Sequence, residues 1–159
     1  MEEIRFPEGM DFLDTPEAVC SNCIKLKTVS LPSTMKRIPV GMLDSCESLE
    51  QICIPDGVEE ISDIAFMYDS KLKLVHMPTS LMKIGEMAFC DCEALEEIEL
   101  PNGLEVIEKS AFAGCKSLCR LSLPSSLKRI EKDAFQDCEA LPDLVIPHGC
   151  EVHPKAFSK

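Results

Sequence analysis

The chain has 159 residues and a formal net charge of −12, with 45% apolar and 28% charged side chains and no apolar run long enough to span a bilayer. Such an acidic balance suits neither duplex DNA nor an anionic membrane, where Lys and Arg neutralising phosphates supply most of the affinity. The opening MEEIRFPEGMDFLDTPE lacks the basic and apolar regions of a secretory signal. As written the chain therefore reads as cytoplasmic, and as a cell-surface protein only if a signal was removed.

Taken in chain order, one short phrase keeps returning. Ile4-Arg5-Phe6-Pro7 is its first form, and it recurs as Val29-Ser30-Leu31-Pro32 and Ile52-Cys53-Ile54-Pro55. Val75-His76-Met77-Pro78, Ile98-Glu99-Leu100-Pro101, Leu121-Ser122-Leu123-Pro124 and Leu144-Val145-Ile146-Pro147 follow, each 23 residues after the last. Apolar residues alternating around a variable one read as a short strand with one buried face, and proline, lacking an N–H, fits the strand's end. Met35, Val58, Leu81, Leu104 and Leu127 keep the same step three places after the proline, and Ile38, Ile61, Ile84, Ile107 and Ile130 six places after it. Ala65-Phe66, Ala88-Phe89, Ala111-Phe112 and Ala134-Phe135 come next, with Met42-Leu43 substituting once and Ala156-Phe157 one residue early. Cys46, Cys92, Cys115 and Cys138, with Asp69 in one turn, precede a final column of Leu49, Leu72, Leu95, Leu118 and Leu141.

A fixed step of this kind marks a repeat architecture, because one 23-residue turn cannot bury its own apolar side but stacked copies form a continuous core. The reading is one domain, 1–159, of seven stacked turns. It comprises an irregular first turn at 1–26, regular repeats at 27–49, 50–72, 73–95, 96–118 and 119–141, and a shortened last repeat at 142–159. The strands are expected to form one parallel β-sheet, and the Ala-Phe segments short helical or 3₁₀ turns on the opposite side, an α/β repeat solenoid. In the first turn, Val19-Cys20 stands where Ala-Phe belongs and the Glu8 to Cys20 stretch carries about two extra residues.

The stretch from Leu95 through Ile98, Leu100-Pro101, Leu104, Ile107, Ala111-Phe112 and Cys115 to Leu118 resembles the repeat of BspA-type leucine-rich repeat proteins. Ile84-Gly85 followed by Ala88-Phe89 keeps that family's Ile-Gly pair. The resemblance covers nearly the whole chain and implies a right-handed, gently curved leucine-rich repeat coil. Family members occur on bacterial surfaces and in protists, so the resemblance also implies adhesion or protein binding.

Ten cysteines raise the question of disulfides or zinc. Cys23, Cys46, Cys92, Cys115 and Cys138 share one column, Cys20 falls in the Phe column and Cys150 in that of Leu104, which favours packing in a reducing compartment. Cys53, Cys90 and Cys119 read as exposed. Cys20-Ser-Asn-Cys23 has zinc-ligand spacing, but a tetrahedral site needs four ligands and Cys90 and Cys92 lie three turns away. His76, His148 and His153 are not tied by the sequence to any nucleophile and acid, so neither catalysis nor a cofactor is expected.

Charges follow the repeat as well. Lys27, Glu50, Lys73 and Glu96, then Arg120 one place on, and Asp143 alternate in sign, as do Lys36/Arg37, Glu59/Glu60, Lys83, Glu105 and Lys128/Arg129, so neighbouring turns can pair. Asp44, Glu47, Asp69, Asp91, Glu93, Asp137 and Glu139 are expected to make an acidic edge between the Phe and Leu columns. The outward strand positions vary from turn to turn, as a surface freed from packing permits. The expected function is therefore protein binding through Gln51, Leu74, His76, Glu97, Glu99, Arg120, Ser122 and Asp143. The alternative is a structural unit that self-associates through uncapped solenoid ends as an end-to-end homo-oligomer, or forms part of a longer surface array.

Overall fold

Twelve short strands, wound into successive coils, carry the computed structural model of the chain, which describes residues 1–10, 12 and 18–158. They are β1 (Glu3–Arg5), β2 (Thr28–Ser30), β3 (Arg37–Ile38), β4 (Gln51–Cys53), β5 (Glu60–Ile61) and β6 (Leu74–His76). The others are β7 (Lys83–Ile84), β8 (Glu97–Glu99), β9 (Val106–Ile107), β10 (Arg120–Ser122), β11 (Arg129–Ile130) and β12 (Glu151–Val152). All pairings are parallel. The stretch from Glu8 to Cys20, where about two extra residues are expected, includes 11 and 13–17, which lie outside the described residues.

The expectation of one sheet is corrected. The phrase before each proline does form strands, split into β1–β2 and a four-stranded sheet ordered β10-β8-β6-β4, but a six-stranded sheet ordered β12-β11-β9-β7-β5-β3 runs along another side. Its strands are the Ile38, Ile61, Ile84, Ile107 and Ile130 column with one flanking residue each, closed by Val152. Between the two sides, each proline carbonyl accepts the N–H three residues on, as in Val58 to Pro55 at 3.2 Å and Leu104 to Pro101 at 3.1 Å. That turn swings the next apolar column inward, and Val58, Leu81 and Leu104 are fully buried.

The helical or 3₁₀ turns expected at the Ala-Phe segments are also corrected: no described residue is helical, and the coil is a β solenoid, not an α/β one. The reason lies in where the backbone donors go. The N–H groups of Ile64, Phe66 and Tyr68 reach the carbonyls of Glu86, Ala88 and Cys90 in the next coil at 2.9, 2.8 and 2.9 Å. Met67 and Asp69, the residues that follow Phe66 and Tyr68, close local turns onto Ile64 and Phe66, both at 3.3 Å. A helix needs consecutive intrasegment bonds. Left-handed φ values at Ile64 (52°) and Tyr68 (63°), repeated at Met87 (54°) and Asp91 (57°), interrupt the winding that would supply them.

Inside, the Phe column stacks. Phe66, Phe89, Phe112 and Phe135 lie with ring centroids 5.0, 5.3 and 5.4 Å apart and planes within 5° of parallel, and Phe157 continues the pile at 5.3 Å. The cysteine column locks onto it. The thiols of Cys92, Cys115 and Cys138 donate to the carbonyls of Phe66, Phe89 and Phe112 in the preceding coil at 3.1, 3.2 and 3.0 Å, and Cys46 donates to Cys20 at 3.3 Å. Cys20 therefore does stand in the Phe column, where it is buried. All ten cysteines are free thiols; Cys53 and Cys119 are exposed, whereas Cys90 and Cys150 are both half-buried, one less open and the other more open than expected.

The seventh strand is missing. Leu144-Val145-Ile146 keeps the repeat's spelling but is not a strand, and Val145 is 88% exposed. Six coils carry the phrase as a strand.

Candidate partner-binding face

β4, β6, β8 and β10 present two outward columns because successive side chains of a strand alternate between faces. In the first, Gln51 pairs with Leu74, Leu74 with Glu97 and Glu97 with Arg120; in the second, Cys53 pairs with His76 and Glu99 with Ser122. The inward residues between them, Ile52, Val75 and Ile98, are buried at 2–3% exposure, which holds each outward pair in place.

Charge on this face is partly committed. The Arg120 Nε donates to Glu97 Oε2 at 2.8 Å, and its guanidinium also approaches Glu96 at 3.8 Å. The side chains of Glu99 and His76 enter no hydrogen bond or ion pair among the described residues, and both residues are exposed. A hollow of about 550 Å³ opens here, with Leu74, Met77 and Leu100 as its apolar lining and His76, Glu97 and Glu99 among its polar groups. Thr79 and Asn102 also line it from the turns after Pro78 and Pro101; sequence reasoning missed both, although these post-proline positions vary between turns as the strand positions do.

Gln51 stands at one end of this face, beside a smaller hollow of about 390 Å³ that it shares with Lys27, Lys73 and Leu74. Arg120 and Ser122 close the other. Asp143 is not on the face: it lies in the segment that fails to become a strand, and lines hollows with Pro142 and Leu144 instead.

The charge columns pair as their signs suggest, at Lys73–Glu50 (3.8 Å), Lys83–Glu60 (3.3 Å) and Lys128–Glu105 (2.7 Å). The acidic edge is weaker than expected. Asp69 is fully buried, Glu93 is held by Lys116 at 2.7 Å, and Asp44 accepts from Ser21 and Ser45 at 3.1 and 3.2 Å. No helix of the described residues is long and apolar enough to cross a membrane.

The profile of the family described as BspA type leucine rich repeat region matches this chain in six copies, over residues 1–94 and 59–159. Among solved structures, the leucine-rich repeat protein of T. pallidum is similar at 30% identity and a TM-score of 0.87, over 94% of this chain and 72% of that one. A leucine-rich repeat protein from Eubacterium ventriosum ATCC 27560 is similar in fold at 21% identity and a TM-score of 0.66, over 99% of this chain and 58% of its own. A leucine rich cell surface protein from Faecalibacterium prausnitzii A2-165 is similar in fold at 20% identity and a TM-score of 0.54, over 96% and 60%. No curated protein matches the chain.

Proposed function

Because the chain belongs to the BspA-type leucine-rich repeat family, we propose that it is a protein-binding module working through the outward face of β4, β6, β8 and β10. The observation that carries this reading is the hollow at Leu74, His76, Glu97 and Glu99, where an unpaired carboxylate and an unpaired imidazole stand beside apolar side chains. The buried inward residues Val75 and Ile98 fix the strands that carry these groups, so the backbone of the face needs little ordering on binding. A partner segment with a basic or hydrogen-bonding residue next to an apolar one meets both halves of the site. Gln51, Arg120 and Ser122 extend the contact along the face. The Faecalibacterium relative is a cell surface protein, and adhesion at a surface is the setting in which such a module fits.

A photo-crosslinking side chain in place of His76, compared with one in place of Tyr68 on the Phe side of the coil, tests this reading. The account expects protein adducts from position 76 alone; equal labelling from both positions counts against it.

A second reading has its own observation. Phe157 ends the ring stack 38% exposed, next to a hollow of about 430 Å³ lined by Phe135, Leu141, Leu144 and Ile146. An apolar end of this kind suits end-to-end self-association, or a longer array. Sedimentation of the purified chain over a hundredfold concentration range distinguishes it, since a constant monomer mass removes the self-association.

A further inference from the structure

One coil stacks on two of its sides and not on the third. After β11 the chain returns as β12, with Arg129 paired to Glu151 and Ile130 to Val152, and the Phe135 N–H reaches the Ala156 carbonyl at 2.8 Å. On the strand side, however, no backbone bond joins residues 142–148 to β10.

Pro142 stands where the gap begins. In three of the other coils the residue at this place gives its N–H to the coil before, Lys27 to Glu2 at 2.8 Å, Lys73 to Glu50 at 2.9 Å and Cys119 to Glu96 at 3.1 Å, while Glu50 and Glu96 make no such bond. Proline has no N–H to give. The segment from Pro142 to Pro147 instead stands away from β10 across a hollow of about 330 Å³, with Leu121, Ser122 and Leu123 on one wall and Asp143, Leu144 and Val145 on the other.

What the gap leaves open is a strand-shaped slot. Leu121 is half-buried where its counterparts Ile52, Val75 and Ile98 are buried; Leu123 beside it is half-buried, as Met77 is in the middle of the sheet. The Ile54 N–H donates to the His76 carbonyl of the next coil at 3.0 Å, whereas β10 ends its sheet and no described strand stands beyond it to accept from Leu123 in the same way. By the same register the Leu121 N–H and the Cys119 and Leu121 carbonyls face the empty side. β2 also lacks a ladder to the next coil, but packs directly against β4. Unpaired strand edges are templates for another strand.

We infer that the free edge of β10 binds an extended segment of a partner protein by strand addition. The segment lies parallel to Arg120–Ser122, with apolar side chains at alternate positions over Leu121 and Leu123 and a small uncharged residue between them. Arg120 is already held by Glu97, and Asp143 lines the far wall, so the slot favours an uncharged strand. Such a strand takes the place in the sheet that Leu144–Ile146 leaves unfilled. This surface is separate from the hollow at His76 and Glu99 and stands whether or not that face binds a partner.

The test uses the full chain, labelled with ¹⁵N, and a capped peptide with the sequence of residues 28–33, Thr-Val-Ser-Leu-Pro-Ser, the uncharged strand of this repeat. The expected result is amide shifts centred on Leu121, Ser122 and Leu123, with hydrogen exchange at Leu121 and Leu123 slowed at least about tenfold by strand hydrogen bonds. The same peptide N-methylated at its leucine should lose these effects. Pro142→Lys, which restores the N–H that Lys73 supplies, should let the chain's own segment close on β10 and weaken peptide binding at least about tenfold. The wild-type mapping stands even where that variant fails to fold. Three results would overturn the inference: Leu121 and Leu123 amides already protected in the dilute free protein, protection that rises with protein concentration alone, or equal binding of a scrambled peptide. The first would make the chain's own segment the occupant, and the second a second copy.

Discussion

Asp69 takes the place of a cysteine in the column of Cys46: its Oδ1 accepts the Cys46 backbone N–H at 2.7 Å, while its Oδ2 has no hydrogen-bond partner. Burial pushes the carboxyl up to about 8; the Cys46 N–H opposes that rise and the nearby Asp44 charge adds to it. The folded protein thus holds Asp69 protonated near neutrality, whereas the unfolded chain ionises it near its ordinary 3.8. Unfolding then releases a proton between those two values, so stability falls as pH rises through this window, by at most about 1.4 kcal/mol per pH unit.

Urea unfolding of the wild type at about pH 5 and about pH 8 should show that loss, and Asp69→Asn should remove most of the slope. Asp69→Cys, the residue the repeat uses at this place, should be the more stable chain at about pH 8, by roughly 1–3 kcal/mol. Wild-type and Asp69→Asn midpoints that move in parallel with pH would contradict the burial of an orphaned oxygen.

Phe112 stands between two parallel rings at 5.3 and 5.4 Å and is fully buried. Phe112→Ala should cost roughly 3–5 kcal/mol in chemical denaturation, and Phe157→Ala, at the exposed end of the stack, clearly less. Equal costs at the two positions would mean that the rings are not packed as a column.

Gly85 is fixed by backbone, not by turn geometry. A Cβ there would stand 2.5 Å from Asp63 Oδ1, 2.7 Å from the Asp63 backbone nitrogen and 2.8 Å from the Ser62 carbonyl carbon. Gly85→Ala should destabilise by about 1–3 kcal/mol, and adding Asp63→Ala should recover little of it, because two of the three contacts are main chain. Full recovery in the double variant would place the conflict on the Asp63 side chain alone.

The thiols should separate by chemistry as well as by exposure. Cys53 and Cys119 are open, while burial holds the thiols of Cys92 and Cys115 far above the usual range and brings Cys138 to about 12. Cys90 is half-buried, yet burial and then the charge of Asp91 bring it to about 12 as well. A thiol reagent at neutral pH should therefore label Cys53 and Cys119 quickly and Cys90 slowly, with the buried column reacting only on unfolding. Fast labelling of Cys115 in the native protein would count against the column.

The coil was legible because its columns are spelled in apolar residues: Phe66 to Phe135, Ile38 to Ile130 and Leu49 to Leu118 each keep step and each face inward. The second sheet was not, because strands of two residues such as Glu60–Ile61 carry one inward side chain and no alternation to read. Ala-Phe suggested helix through residue type, whereas the left-handed Ile64 and Tyr68 and the bonds to the next coil are tertiary features that no local preference announces. Asp69 was assigned to an acidic edge because its charge outweighed its column, although its column was the better guide. At Asp143 the spelling of Leu144-Val145-Ile146 promised a strand, and the departure to read was Pro142, which has no N–H to give where Lys73 and Cys119 bond to the coil before.

The most direct test of the strand face as a protein-binding surface is affinity purification from the native host's lysate with the wild type and a Glu99→Lys variant, both confirmed to melt alike. Glu99 is exposed and its side chain bonds to no described residue, so its reversal changes the face without disturbing the coil. The account predicts a protein retained by the wild type and lost, or weakened at least about tenfold, with the variant. The same partner recovered equally with both chains would contradict it.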